Sequence, residues 1–366
     1  MRTRALVTVL VATLVAAGCA GSDGPAPLAL TKVDLPGAPV TLTPSGTGLL
    51  IGLHRDGQPV VPALVRRDES GAVTEIPTTT ATPYGKLARW TQIAVEGDRL
   101  FAVGGERGGA HGNVRWSVWD GGSGGLTEKR QAFSTFGGYG AGDLVGVVTT
   151  PAGPVVLGGW DNPNGGFDVA TWLPSGDDWI RQPSAGTALE ASRDALPFPI
   201  AATALADGIL IVGWQFADGR EQPVTWRSKS GNTGWTKIPL PTPPTARGAA
   251  MSVSCTGTDC VAAGRLDGSL ALWRLTADTW TQLPDVPTFP VSDTDVLPAP
   301  VLAADGSVIQ LIGTPDGLKA LRRTATTWTT HPTTTPGKPT AATTVGTTLY
   351  TVVDDALWTL DLTKLH

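Results

Sequence analysis

Four residues stand where an apolar run has just ended in glycine and the chain is about to turn back: Glu106 in VGGERGG, Trp160 in LGGWDNP, Trp214 in IVGWQFA and Arg265 in AAGRLDG. Each breaks the hydrophobic rule of the run before it. Two indoles with a carboxylate and a guanidinium could hold a sugar or a peptide by stacking and hydrogen bonding, and Arg107 and Arg220 stand nearby in the same loops. The same side chains could instead cap the ends of a core, with the charges solvated. Other chemistries are poorly served. The chain has four histidines and three cysteines, and no histidine stands near Cys255 and Cys260, so a tetrahedral zinc shell lacks ligands. Four residues separate that pair, not the two of a redox motif. FGGYGAG from Phe136 is glycine-rich, yet no Lys-Ser or Lys-Thr follows it to complete a phosphate loop. DNPNGGFD from Asp161 offers oxygens without the spacing or closing glutamate of a calcium loop, and reads as a polar hairpin. No catalytic residue, metal or cofactor is assigned.

The elements that carry these residues repeat. Strand-end glycines fall at Gly52, Gly104, Gly158, Gly213, Gly264 and Gly313, at intervals of 49 to 55 residues. Before each lies an apolar strand such as QIAV or LVGVVT. After each come a variable loop, another strand, a short turn and a tryptophan phrase: DWIRQPSA, GWTKIPLP, TWTQLPDVP, TWTTHPTT. Four strands in about 50 residues is the arithmetic of a β-propeller blade. A seventh unit, TTLYTVVDDALWTLDLTKLH, stops before its fourth strand, and LTKVDLPG at Leu30–Gly37 supplies a matching phrase at the other end of the chain. The expectation is an all-β, seven-bladed propeller whose N-terminal strand completes the last blade and removes two open sheet edges. Pairs such as Trp172 with Trp179, Trp226 with Trp235 and Trp273 with Trp280 bracket the turn between third and fourth strands, where indoles would fill the wedges between blades.

Composition agrees with this. The 366 residues include 46 Gly and 30 Pro, which punctuate apolar runs rather than cluster, as many short strands and turns require. A net charge of −5, with no basic run beyond pairs such as Arg66-Arg67, argues against a nucleic-acid partner. The first residues read MRTRALVTVLVATLVAAGC: a positive start, an uncharged stretch from Ala5 to Ala17, then small residues up to Cys19. VAAGC resembles the lipobox of bacterial lipoproteins, with Ala16 in place of the commoner leucine. The resemblance implies a leader over 1–18, lipid on Cys19, a polar tether over 19–28 and the propeller over 29–366. It implies a chain exported and held to the bacterial cell membrane by lipid (palmitate-type acyl chains), which two or more chains anchor stably. Cys255 and Cys260, in SVSCTGTDCVAAG, flank a turn-like Thr-Gly-Thr-Asp, so a hairpin would bring them face to face, and an export compartment permits their disulfide.

AAGRLDGSLALWRLTADTWTQLPDVP resembles a kelch blade, and RSKSGNTGW and LPSGDDW resemble degraded Asp-box turns of sialidase-like propellers. The resemblance implies a channel face built from second-to-third-strand loops and blade-to-blade connections, and a protein or glycan ligand there. The loops are longest in blades two to four, and the longest connections are roughly Ser184–Ile200 and Pro284–Ala299. A sialidase would need an arginine cluster and a tyrosine nucleophile. Arg89, Arg107, Arg193, Arg247 and Arg265 with Tyr84 and Tyr139 are the available residues, but PFPI at Pro197 lacks the arginine that family carries. A binding or scaffolding module of the cell envelope is therefore the main expectation. The alternative is a glycan-processing enzyme using Asp161, Asp194, Asp293 or Asp295.

Overall fold

The structure, a computed structural model, describes residues 25–108 and 112–365. The leader and Cys19 lie outside the described residues. Seven antiparallel sheets follow one another along the chain. Blade one runs Ala38–Ser45, Gly48–His54, Pro62–Arg67 and Val73–Ile76; blade two runs Arg89–Glu96, Arg99–Arg107, Val114–Gly122 and Gly125–Lys129, with a short parallel strand Thr78–Thr79 on its rim. Blades three, four and five begin with Ala141–Thr150, Ala195–Ala204 and Gly248–Thr256, and blade six with the two-residue strand Val301–Leu302. The first strand of each blade lies innermost, against the first strand of the next, and the ring closes between blades seven and one.

Blade seven takes three strands from the C-terminal end, Pro339–Val345, Thr348–Val353 and Ala356–Asp361. Its fourth is Thr31–Val33, antiparallel to Ala356–Asp361 with Lys32 opposite Trp358. The displaced copy of the phrase is thus the missing outer strand. Ordered pairing starts slightly earlier, at Leu28, whose amide donates to the Pro332 carbonyl at 2.8 Å.

Buried apolar side chains divide into seven clusters, each drawn from two neighbouring blades. Trp119, Trp172, Trp226 and Trp273 are wholly buried in four of these wedges and occupy one register position, opposite the residue two before the strand-end glycine. Each removes roughly 150–250 Å² of surface from water. Indole also brings a donor that phenylalanine lacks. Trp172 Nε1 donates to the Thr135 carbonyl (3.0 Å) and Trp273 Nε1 to the Pro241 carbonyl (2.9 Å), in both cases on the connection arriving from the preceding blade.

The strand-end glycines have a steric cause. In blades two to five the innermost strand carries a bulge just there, after Trp90, Leu144, Pro199 and Ala250. The bulge turns a backbone carbonyl onto the glycine. A Cβ at Gly104 would stand 2.8 Å from the Arg89 oxygen, one at Gly158 would stand 2.7 Å from the Asp143 oxygen, and Gly213 and Gly264 meet Phe198 and Ala249 oxygens still more closely. The extra residues Thr91 and Ile200 are exposed although they sit on the innermost strand, so they face the channel, whereas Val145 and Met251 are half-buried against wedge clusters.

Cys255 and Cys260 form a disulfide across the hairpin of blade five, in direct register and with Cα atoms 4.1 Å apart. That hairpin is at the end of the ring opposite the second-to-third-strand loops.

Candidate binding face

Each second strand ends, and each third strand begins, at the end of the ring where the blade-to-blade connections also lie. Glu106, Trp160, Trp214 and Arg265 lie towards the ends of the second strands of blades two, three, four and five, at the channel mouth. Trp214 and Arg265 directly follow the strand-end glycine and Glu106 and Trp160 come one residue later, so the two pairs point to opposite faces of their blades. They fan out rather than converge, and their surroundings differ.

Trp160 lies over the wedge between blades two and three. It meets Trp172 edge-on at 6.1 Å, Arg181 sits 5.0 Å from its ring, and the backbone at Gly140 lies close against it. Trp214 stacks on Phe198, with centroids 4.0 Å apart and planes 11° from parallel, and Pro223 stands opposite on its other side. Glu106 faces Arg115 across the ladder. Arg265 donates to Glu221 at 2.6 Å, and only 14% of its side chain is exposed.

Several grooves open on this face, and two of them adjoin these residues. One, of about 430 Å³, lies over blades two to four. Arg107, Arg115 and Trp116 form one wall, Phe136 to Val145 the floor, and Phe167 with Pro197–Pro199 the far wall. The other, of about 490 Å³, lies between blades four and five and is lined by charges: Arg220, Arg247 and Arg265 against Glu221, Asp267 and Asp293. Arg220 Nε there is buried without a partner. The five arginines considered for a sialidase-type cluster are therefore split, with Arg107 on the first groove and Arg247 and Arg265 on the second. Tyr139 is fully exposed, and Tyr84 lies beneath Arg115.

Of the carboxylates, Asp161, Asp194 and Asp293 are exposed. Asp295 accepts the Ser292 amide and hydroxyl, both at 2.8 Å, and Lys338 lies beyond them. Those bonds, led by the backbone amide, hold its carboxyl below the usual range, which suits an ionised clamp and not a proton donor. In the Asp161 hairpin the oxygens are used internally: Asn162 Nδ2 donates to Asp168 at 2.7 Å, and the same Asp168 oxygen accepts the Ala191 amide at 2.7 Å. This polar pair ties the hairpin to the connection towards blade four. That connection is shorter than the sequence suggests, because Ala195–Ile200 already belongs to the innermost strand. Among the described residues no three His, Cys, Asp or Glu side chains are grouped as a metal would need, and no helix is long and apolar enough to cross a membrane.

The main feature of the face was not visible in the sequence. All six exposed aromatic side chains of the described residues stand on it: Tyr84, Phe133, Tyr139, Phe167, Phe198 and Phe216. Arg115, Phe133 and Phe198 had no place in the strand-end pattern. The one available signal was LPFPI, where two prolines interrupt an apolar strand and mark it as lacking a partner on one side.

No protein-family model and no curated protein matches this sequence. Solved structures do match. Virginiamycin B lyase from Staphylococcus aureus superimposes with a TM-score of 0.56 at 14% identity, over 90% of this chain and 97% of that one. The Cps50 (Swd1) β-propeller domain of Myceliophteria thermophila gives 0.57 at 12% identity, over 91% and 99%. YCF48 from Cyanidioschyzon merolae gives 0.56 at 11%, over 90% and 98%. At such identities the likeness concerns the fold alone, which in this chain is a seven-bladed β-propeller.

Proposed function

We propose that this chain is an exported, lipid-anchored propeller that holds a ligand on the channel face of blades two to four, as a binding module of the cell envelope. The observation that carries the reading is the gathering of every exposed aromatic side chain of the described residues on that one face, with Phe167 and Phe198 on the groove of about 430 Å³ and Tyr84 and Phe133 on a smaller pocket beside it. Solvent-exposed aromatic clusters of this kind mark interaction sites, and the volume suits a small ligand or a peptide segment. The anchor rests on the VAAGC run, and the kelch-like or Asp-box-like kinship on the tryptophan phrases. An anchor at the N-terminus would hold the ring beside blades six and seven, where Leu28 bonds Pro332. The groove over blades two to four lies across the ring from that seam.

The test has two arms. Cys19→Ser is expected to move the protein from the membrane fraction to the soluble one and to abolish palmitate labelling. On combined glycan and peptide arrays, Phe198→Ala with Trp214→Ala is expected to lower binding about tenfold or more, because stacked aromatic anchors dominate such sites. Undiminished binding by that double variant with an unchanged melting temperature would remove the groove from the reading. Turnover of a chromogenic glycoside, abolished by one change among Asp161, Asp194, Asp293 and Asp295, would replace it with the enzymatic alternative.

A further inference from the structure

The groove over blades two to four has a polarity along its length, and we infer that it takes a ligand with an apolar body and an anionic group, the anion meeting Arg115 and Arg107. This rests on the reading that the face binds a ligand, and adds the ligand's chemical class. Six arginines elsewhere, Arg55, Arg99, Arg227, Arg265, Arg274 and Arg322, are paired with carboxylates. Arg115 and Arg107 are not, among the described residues. Arg107 donates only to the Gly112 carbonyl, at 2.9 Å. Arg115 lies against two exposed rings, 4.6 Å from that of Phe133 and 5.6 Å from that of Tyr84, and its Nε is buried without a partner.

The two rings pack against the guanidinium without consuming its hydrogen bonds, and they strip away part of its water. A fork fixed in advance gives up little freedom on binding, and its planar donors match carboxylate or phosphate oxygens two at a time. Beyond this basic end the lining turns apolar, through Trp116 and Phe136 to Pro197 and Phe198. Three carboxylates stand nearby, and Glu128, which lines a pocket with Arg115, is taken up by the Ala81 and Thr82 amides and the Thr82 hydroxyl. Asp143 lines the groove from the innermost strand of blade three, on the channel side, and Glu106 faces Arg115 across the ladder without an ion pair to it. Glu106 therefore weakens the anion's attraction without cancelling it. In a chain of net charge −5, two unpaired cations at one end of an aromatic groove are a local reversal of sign.

Two fluorescent probes with nearly the same apolar body test this. One, 8-anilinonaphthalene-1-sulfonate, carries an anion; the other, N-phenyl-1-naphthylamine, does not. The protein is the chain from Pro25 onward, which contains every strand of the seven sheets. The anionic probe is expected to bind saturably and more tightly than the neutral one. Arg115→Gln should weaken the anionic probe about tenfold, as loss of a charge-assisted pair does, and leave the neutral probe unchanged. Arg107→Gln, on an exposed side chain that poses no risk to folding, should act in the same direction, and Glu106→Gln in the opposite one. Phe198→Ala should weaken both probes. Equal affinities, or an Arg107→Gln and Arg115→Gln pair that leaves the ratio of the probes untouched, would overturn the anionic assignment while the binding reading stands. Failure of both probes to bind would overturn both. Competition by dodecanoate against phenyl phosphate then tells a carboxylate ligand from a phosphate one.

Discussion

Trp226 and Trp273 sit at the same register position of blades four and five, each wholly buried, yet only Trp273 finds a partner for its N–H. The two therefore differ in what phenylalanine would cost. Trp273→Phe leaves the Pro241 carbonyl without its donor, whereas Trp226→Phe removes a buried donor that had no acceptor. Trp273→Phe is expected to be the more destabilising by about 1–2 kcal/mol, read from denaturation midpoints measured side by side. His331 behaves differently. It is buried in the outer strand of blade six, and burial, with the Arg322 charge second, holds its imidazole below the usual range. The unfolded chain then takes up this proton more readily than the folded one. The resulting stability is complete above about pH 6.5 and is lost as pH falls through that value. Melting temperature between pH 7 and 5 is expected to fall more steeply for the wild type than for His331→Gln. The wedge tryptophans were legible because they recur at fixed spacing. Arg115 and Phe198 were not, since exposure and the lack of a carboxylate partner arise only when the connections fold over the blade ends.

At the level of the element, the bulge in the innermost strand determines where glycine must stand. Gly264→Ala sets a methyl against the Ala249 carbonyl, and the strand must shift because the obstacle is backbone. A loss of about 2 kcal/mol or more is expected, measured by thermal melting against Gly124→Ala in the outer hairpin turn of blade two, where nothing lies within 4 Å of the added carbon and the backbone is not left-handed. The glycine spacing was readable, but its cause was not. A bulge is an extra residue in one strand relative to its partner, and it appears only when the two are paired. The disulfide was readable for the opposite reason: a four-residue turn fixes the register of both cysteines. Replacing Cys255 and Cys260 together by alanine is expected to cost about 2 kcal/mol, as closure of so short a loop implies.

At the scale of the molecule, seven wedge clusters hold seven sheets, and one seam joins the two ends of the chain. Deleting residues 28–37 would open the edge of Ala356–Asp361 and uncover Leu349 and Leu357, buried in the clusters on either side. The variant is expected to melt well below the intact chain and to aggregate through the freed edge, as light scattering during the melt would record. The ring itself could be read from the repeat, because it follows from period and strand count. The division of its upper face into an aromatic groove and a charged one could not, because each connection takes its own path. The seam has one more effect. Thr359 donates to the Thr31 carbonyl across 328 positions of sequence. Six sheets can pair in order as the polypeptide is made, but the seventh has to wait until its third strand exists. Joining such distant segments costs only about 0.6 kcal/mol for each doubling of the span, so the penalty falls on time more than on stability. Throughout that delay the segment Thr31–Val33 is an unclaimed strip. A ribosome stalled before residue 356 would release a product with a free ribbon at its beginning and nothing of its own to receive it.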